Sequence, residues 1–122
     1  MNKNLTITSV LGAITIILGA FGAHALKERL GVQELKSFET AVKYQMFHVL
    51  VLLFINTTAN FTSKIKNQLT LLFLFGILFF SGSIYAITFG VPAKLIWFIT
   101  PLGGLLFIIG WLKMAFTFYK KQ

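Results

Sequence analysis

Few side chains in this sequence could do chemistry. Two imidazoles, His24 and His48, are the only side chains whose unperturbed charge changes near neutral pH. The carboxylates are Glu28, Glu34 and Glu39, with no Asp and no Cys. Absence of Cys removes disulfides, thiolate metal sites, thiol nucleophiles and covalent c-type haem attachment. Two neutral imidazoles could still ligate a metal or a b-type haem. They fall short of a closed tetrahedral zinc site, and a haem would need both rings facing one slot. The sequence therefore indicates no cofactor, and a metal stays undecided. A Ser-His pairing of Ser81 or Ser83 with His48 is conceivable, yet Glu39 is the only acid near enough to orient the ring.

These groups are carried by elements that the composition identifies. The chain of 122 residues is 57% hydrophobic and 11% charged, with 14 Phe, and its mean hydropathy is +0.82. A soluble fold of this size could not find enough polar surface to cover itself. The expected class is all-α and integral membrane. The net charge of +8 arises from Lys and Arg scattered between apolar runs, without a basic stripe. Nucleic acid is accordingly not an expected partner, whereas the lipid bilayer is.

Charged residues divide the chain into four apolar segments, each close to the roughly 20 residues a helix needs to cross the hydrocarbon. The reading is a single domain over 1–122, a four-helix transmembrane bundle with spans at about 5–26, 41–61, 69–89 and 95–118. Short connections at Thr62–Gln68 and Gly90–Ala93 predict two antiparallel hairpins. The longer connection, Lys27 to Thr40, holds every acidic residue. Within and beyond it Leu35, Phe38, Val42, Gln45 and Val49 recur at helical spacing, which predicts an interfacial amphipathic helix from about Gln33 leading into the second span. Lys3, the first apolar run and Ala23-His24-Ala25 resemble a secretory signal, but the run is longer than a usual signal core, so it is read as a retained span.

Depth then places the polar residues. At about 1.5 Å per residue, His24 lies near the exit of the first span and His48 about 8 to 10 Å inside the entry of the second. Ser81, Ser83 and Tyr85 fall in that same membrane half, as do Trp97, Thr100 and Pro101. Tyr44, Gln45 and His48 occupy adjoining faces of one helix. In the opposite half Thr6, Thr8, Asn56, Thr57, Thr58 and Asn60 lie near helix ends, where headgroups can satisfy them. Trp97 and Trp111, about 21 Å apart along a helix, suit two interfacial anchors. Gly12, Gly19 and Ala23, then Gly76 and Gly82, then Gly103, Gly104 and Gly110, provide faces for close helix approach, and Pro101 should kink or restart the last span.

Four stretches in order carry a resemblance: Gly19-Ala20-Phe21-Gly22-Ala23-His24-Ala25-Leu26, Thr40 to His48, Ser81-Gly82-Ser83-Ile84-Tyr85, and Thr100-Pro101-Leu102-Gly103-Gly104. Over essentially its whole length the chain resembles the small membrane-protein family called domain of unknown function 423. The resemblance implies a four-span bacterial inner- or plasma-membrane protein and brings no established activity. The family's motif positions match His24, Tyr44, Gln45, His48, Ser81, Ser83, Tyr85 and Pro101.

Three functions remain open at this stage. An ionisable group inside a bilayer suggests a site, so His24, Tyr44, Gln45, His48, Ser81, Ser83 and Tyr85 form a candidate constellation for binding or translocating a small ligand, ion or lipid group. Alternatively, the same residues are interhelical glue in a structural or accessory subunit. A membrane enzyme comes third. A binding site requires a cavity among these groups, whereas glue requires them bonded to one another. A small bundle with several Gly-lined faces is also expected to form a homo-oligomer. Lys3, Lys64, Lys66, Lys113, Lys120 and Lys121 stand on one side against Lys27, Arg29, Lys36, Lys43 and Lys94 on the other, a slight bias placing both termini in the cytoplasm.

Overall fold

The apolar runs form helices in a computed structural model, which describes residues 2–121 and Ala23 by its backbone alone. The helices are α1 (Lys3–His24), α2 (Val32–Thr57), α3 (Ser63–Thr88), the short α4 (Ala93–Ile96) and α5 (Ile99–Lys120). Four segments are long and apolar enough to cross a membrane, α4 and α5 together forming the last, Ala93–Lys120. The protein is thus an all-α membrane bundle, since helices satisfy their own backbone groups where hydrocarbon offers no partner.

Local chemistry explains the boundaries. The Gly31 N–H donates to the Glu34 carboxylate at 3.0 Å and starts α2. As the spacing predicts, the amphipathic stretch forms the first turns of one helix that runs from Val32 on into the second span. Thr62 starts α3 by accepting the Ile65 N–H through its hydroxyl at 3.2 Å. The connection after α3 turns at Gly90, whose φ of +122° is open to glycine but not to a residue with a Cβ. Pro101 lies in the first turn of α5, where a missing N–H costs no helical bond. It marks a restart rather than a kink, because Trp97 and Phe98 have already broken the span between α4 and α5.

Sequential helices are neighbours: α1 packs on α2, α2 on α3, and α3 on α5. Glycine sets how closely they approach. A Cβ on Gly22 would lie 2.4 Å from the Phe38 ring, and one on Gly110 would lie 2.7 Å from the Phe73 ring. The tightest crossing is at Gly103, where a Cβ would meet the backbone nitrogen of Phe80 at 2.2 Å. Around these crossings Leu52, Ile55, Leu69, Phe73, Ile77 and Phe107 form the buried core. Lipid-facing side chains such as Ile16, Ile17 and Leu112 remain more than half exposed.

The glycines are therefore not equivalent. In Gly103→Ala the obstacle is backbone, which cannot rotate aside, so α3 and α5 must separate at a cost of about 1 to 3 kcal/mol. Gly82→Ala meets nothing nearer than Leu78 Cδ1 at 3.7 Å and should be neutral or slightly stabilising through helix propensity. Thermal unfolding of both variants in detergent measures the difference; equal midpoints would refute the close crossing.

Candidate functional site

The mid-membrane polar side chains are brought together as two hydrogen-bonded chains. In the first, the Thr15 hydroxyl donates to the Leu11 carbonyl at 2.7 Å and accepts from Gln45 Nε2 at 2.7 Å. Gln45 Oε1 accepts from the Tyr85 hydroxyl at 2.7 Å. One buried amide thereby ties α1, α2 and α3. Thr15 and Gln45 are almost fully enclosed, and the Tyr85 ring packs against Phe38 with centroids 5.4 Å apart.

His48 anchors the second chain. Its Nε2 accepts from Trp111 Nε1 at 3.1 Å, and its Nδ1 lies 2.7 Å from the Tyr44 carbonyl. Indole can only donate, so Nε2 must carry the lone pair and Nδ1 the proton, which it gives to that carbonyl. The bonding pattern holds the imidazole neutral and uses both nitrogens. Phe107 covers its face, with centroids 3.7 Å apart and planes within 2° of parallel.

The serines work likewise. Ser81 donates to the Ala41 carbonyl at 2.7 Å, joining α3 to α2. Ser83 bonds the Phe80 carbonyl at 3.1 Å and meets the Thr100 hydroxyl, joining α3 to α5. Among the described residues, no buried side-chain nitrogen or oxygen lacks a partner.

Besides the two serines, Tyr44 and His24 of the sequence-based constellation contribute no side chain to these chains. Tyr44 is 40% exposed and stacks its ring on Phe80, contributing to the His48 chain only through its carbonyl. His24 is exposed at the end of α1. Approach of Gly12 to Val49 and of Gly19 to Val42 sets His48 level with the middle of α1. His24 then lies about 16 Å further along the bundle, so the imidazoles cannot face one slot for a haem or share a metal. The depth assigned to His48 needs the matching correction. It sits near mid-membrane, because the antiparallel register with α1 runs the early turns of α2 past the end of the first span.

Thr15 and Trp111 are the members of the hydrogen-bonded network that the sequence reading missed. Trp111 is not an interfacial anchor: it lies inside an apolar run, with Ile109 before it and Leu112 after it, at the depth of His48. Its place in the run from Leu105 to Leu112, well before the end of α5 at Lys120, was the available signal. A third cluster was also missed, in the half expected to rely on headgroups. Asn4 Nδ2 donates to Asn56 Oδ1 at 3.0 Å and Asn67 Oδ1 at 2.9 Å, while Asn56 Nδ2 donates to the Leu52 carbonyl at 3.0 Å and the Thr70 hydroxyl at 2.9 Å.

Fold and polar network together define a four-span helical membrane protein with a hydrogen-bonded interior. The chain belongs to the family described as protein of unknown function DUF423, whose profile matches residues 18–104. It is 39% identical over 121 residues to a UPF0382 membrane protein of Haemophilus influenzae, covering 99% of this chain and 97% of the relative. Identity to a UPF0382 membrane protein of Staphylococcus saprophyticus is 42% over 115 residues, covering 91% and 95% of the two chains. Identity to the UPF0382 inner membrane protein YgdD of Escherichia coli K12 is 35% over 111 residues, covering 90% and 84%. No solved structure matches the chain.

Because Gln45 answers two partners, Gln45→Leu strands the Tyr85 hydroxyl and one bond of Thr15. The expected loss is about 1 to 3 kcal/mol. A double-mutant cycle of Gln45→Leu with Tyr85→Phe, read by unfolding in detergent, should show coupling of about 0.6 to 2 kcal/mol. Strictly additive effects would mean that the bond contributes nothing.

Proposed function

We propose that the protein is a structural or accessory membrane subunit, in which the constellation around His48 fastens helices and the outer helix faces do the work. The observation that supports this reading best is the His48 ring itself. One nitrogen accepts from Trp111, the other donates to the Tyr44 carbonyl, and Phe107 lies flat on its face. An imidazole so engaged has no lone pair left for a metal and no open edge for a ligand. Polar groups bonded across helices are the expected form of intramembrane glue. The competing reading, binding or translocation of a small ligand, ion or lipid group at these residues, needs a rearrangement that first breaks one of those bonds.

In this proposal the protein lies in the cell membrane with both termini cytoplasmic, supported by the inner-membrane name of the Escherichia coli relative and the slight excess of Lys on the terminal side. It associates with copies of itself, since its described residues offer little besides helix surface for a partner to recognise. Crosslinking in native membranes near natural expression should capture a dimer or larger species, and monomer alone would remove the self-association.

His48→Gln separates fastening from binding. Glutamine keeps one donor and one acceptor, so stability should fall by about 1 kcal/mol, comparable to one interhelical hydrogen bond. It cannot titrate or reproduce imidazole coordination. The paired measurement is thermal stability in detergent beside co-purifying small molecules by native mass spectrometry. An unchanged adduct profile is expected; selective loss of one adduct from a stable variant would overturn the structural reading.

A further inference from the structure

The two ends of the bundle differ in charge. All three carboxylate side chains, Glu28, Glu34 and Glu39, belong to the end carrying the first connection. The opposite end, where α1 and α3 begin, carries Lys3, Lys64 and Lys66 with no acidic side chain to balance them. There a polar cavity of about 280 Å³ is lined by Asn2, Asn4, Asn56, Ser63, Lys66 and Asn67. Its donors include the Lys66 ammonium, the Ser63 hydroxyl and the carboxamides of Asn2 and Asn67, while the amide hydrogens of Asn4 and Asn56 are spent within the asparagine cluster. Of the first N–H groups of α3, Thr62 takes those of Ile65 and Lys66, and those of Ser63 and Lys64 have no carbonyl within the helix to bond.

A second, apolar cleft of about 410 Å³ lies deeper in the membrane between α1 and α3, walled by Ile7, Val10 and Ile14 of α1 and Leu74 and Leu78 of α3. The two spaces share a line. Asn4, Ile7, Leu11 and Ile14 follow one face of α1, and Asn67, Leu71, Leu74 and Leu78 follow one face of α3. Polar side chains head each stripe and aliphatic ones continue it. From Asn4 to Ile14 the rise is about 15 Å, the depth of one leaflet's hydrocarbon.

We infer that this seam binds an anionic phospholipid, with the headgroup phosphate in the cavity at Lys66, Ser63 and Asn67 and one acyl chain along the α1–α3 cleft. A phosphodiester supplies the negative charge and acceptor oxygens that the donors at this end can meet. A free phosphate would satisfy the cavity alone and leave the aliphatic stripe without a purpose. The assignment is independent of the role of His48, which lies outside both linings.

The test uses the full chain in mild detergent, with phosphatidylglycerol and phosphatidylcholine of identical acyl chains as probes in native mass spectrometry. The phosphatidylglycerol adduct should predominate on the wild-type protein. Lys66→Gln should weaken it about fivefold, the effect of one basic residue at an anionic surface. Lys43→Gln, at the other end, should leave it unchanged. Val10→Trp fills the cleft from an exposed position and should reduce adducts of both lipids, while unfolding midpoints check that each variant is folded. Equal binding of the two lipids, or an unchanged adduct in folded Lys66→Gln, would overturn the site. Inorganic phosphate that stabilises the protein as much as phosphatidylglycerol would overturn the lipid in favour of a free anion. A lipid-free dimer whose formation Val10→Trp abolishes would assign the cleft to a second copy instead.

Discussion

A primary amide in hydrocarbon must have both of its ends answered by protein, and Gln45 stands where that demand falls on three helices at once. Its Nε2 reaches Thr15 of α1 and its Oε1 receives Tyr85 of α3. No water competes for these groups in the membrane interior, so sliding any of the three helices breaks a bond that nothing replaces. The net worth of each bond is modest, because an unfolded chain in the bilayer also finds partners. Specificity is the larger consequence. Apolar helix faces could pack in several registers, whereas the amide accepts only the one that brings both partners within reach. Ser81 on the Ala41 carbonyl and Ser83 beside Thr100 impose the same restriction between α2 and α3 and between α3 and α5.

Architecture was largely legible in the sequence because the membrane writes it in long apolar runs. Helix class and the four spans follow from run length and from charges that cannot enter hydrocarbon, but the connection read at Thr62–Gln68 lies at 58–62, because Thr62 caps α3 and the lysines after it are already helical. The first connection was legible as well: its periodicity indicated a helix from about Gln33 leading into the second span, and α2 runs unbroken from Val32. Gly103 shows a different limit: sequence identifies a small residue, while its proximity to the Phe80 backbone is a property of two helices in register.

The polar interior was legible as a set of residues but not as a set of pairs. Gln45, His48, Ser81, Ser83 and Tyr85 stand out as polar side chains in apolar runs, yet nothing local says which bonds to which. Thr15 escaped notice because a hydroxyl bonded to the carbonyl one turn back looks self-satisfied, although its oxygen can still accept. Trp111 was misread because tryptophan is common at membrane interfaces, and statistical preference gave way to one buried acceptor. His24 entered by depth and by the family motif, neither of which fixes its distance from His48. Two residues in one leaflet half can still be separated by most of that half's thickness.

Glycine packing and hydrogen bonding meet at the His48 ring, and their junction explains why an imidazole rather than an amide occupies the position. Gly76 lacks a Cβ where the Phe107 ring passes at 2.6 Å from where that atom would be, which lets Phe107 lie flat on the imidazole. Gly110 gives Phe73 comparable room, and Phe73 approaches the same imidazole with centroids 5.5 Å apart. Trp111, one turn after Phe107, then reaches the ring edge with its N–H. A flat ring offers an apolar face for stacking and polar atoms in its plane for bonding. Those polar atoms point towards different helices: α5 takes Nε2, while Nδ1 returns to α2's own backbone. An amide could imitate either bond, but it lacks the aromatic face that the glycines of α3 and α5 make room to cover.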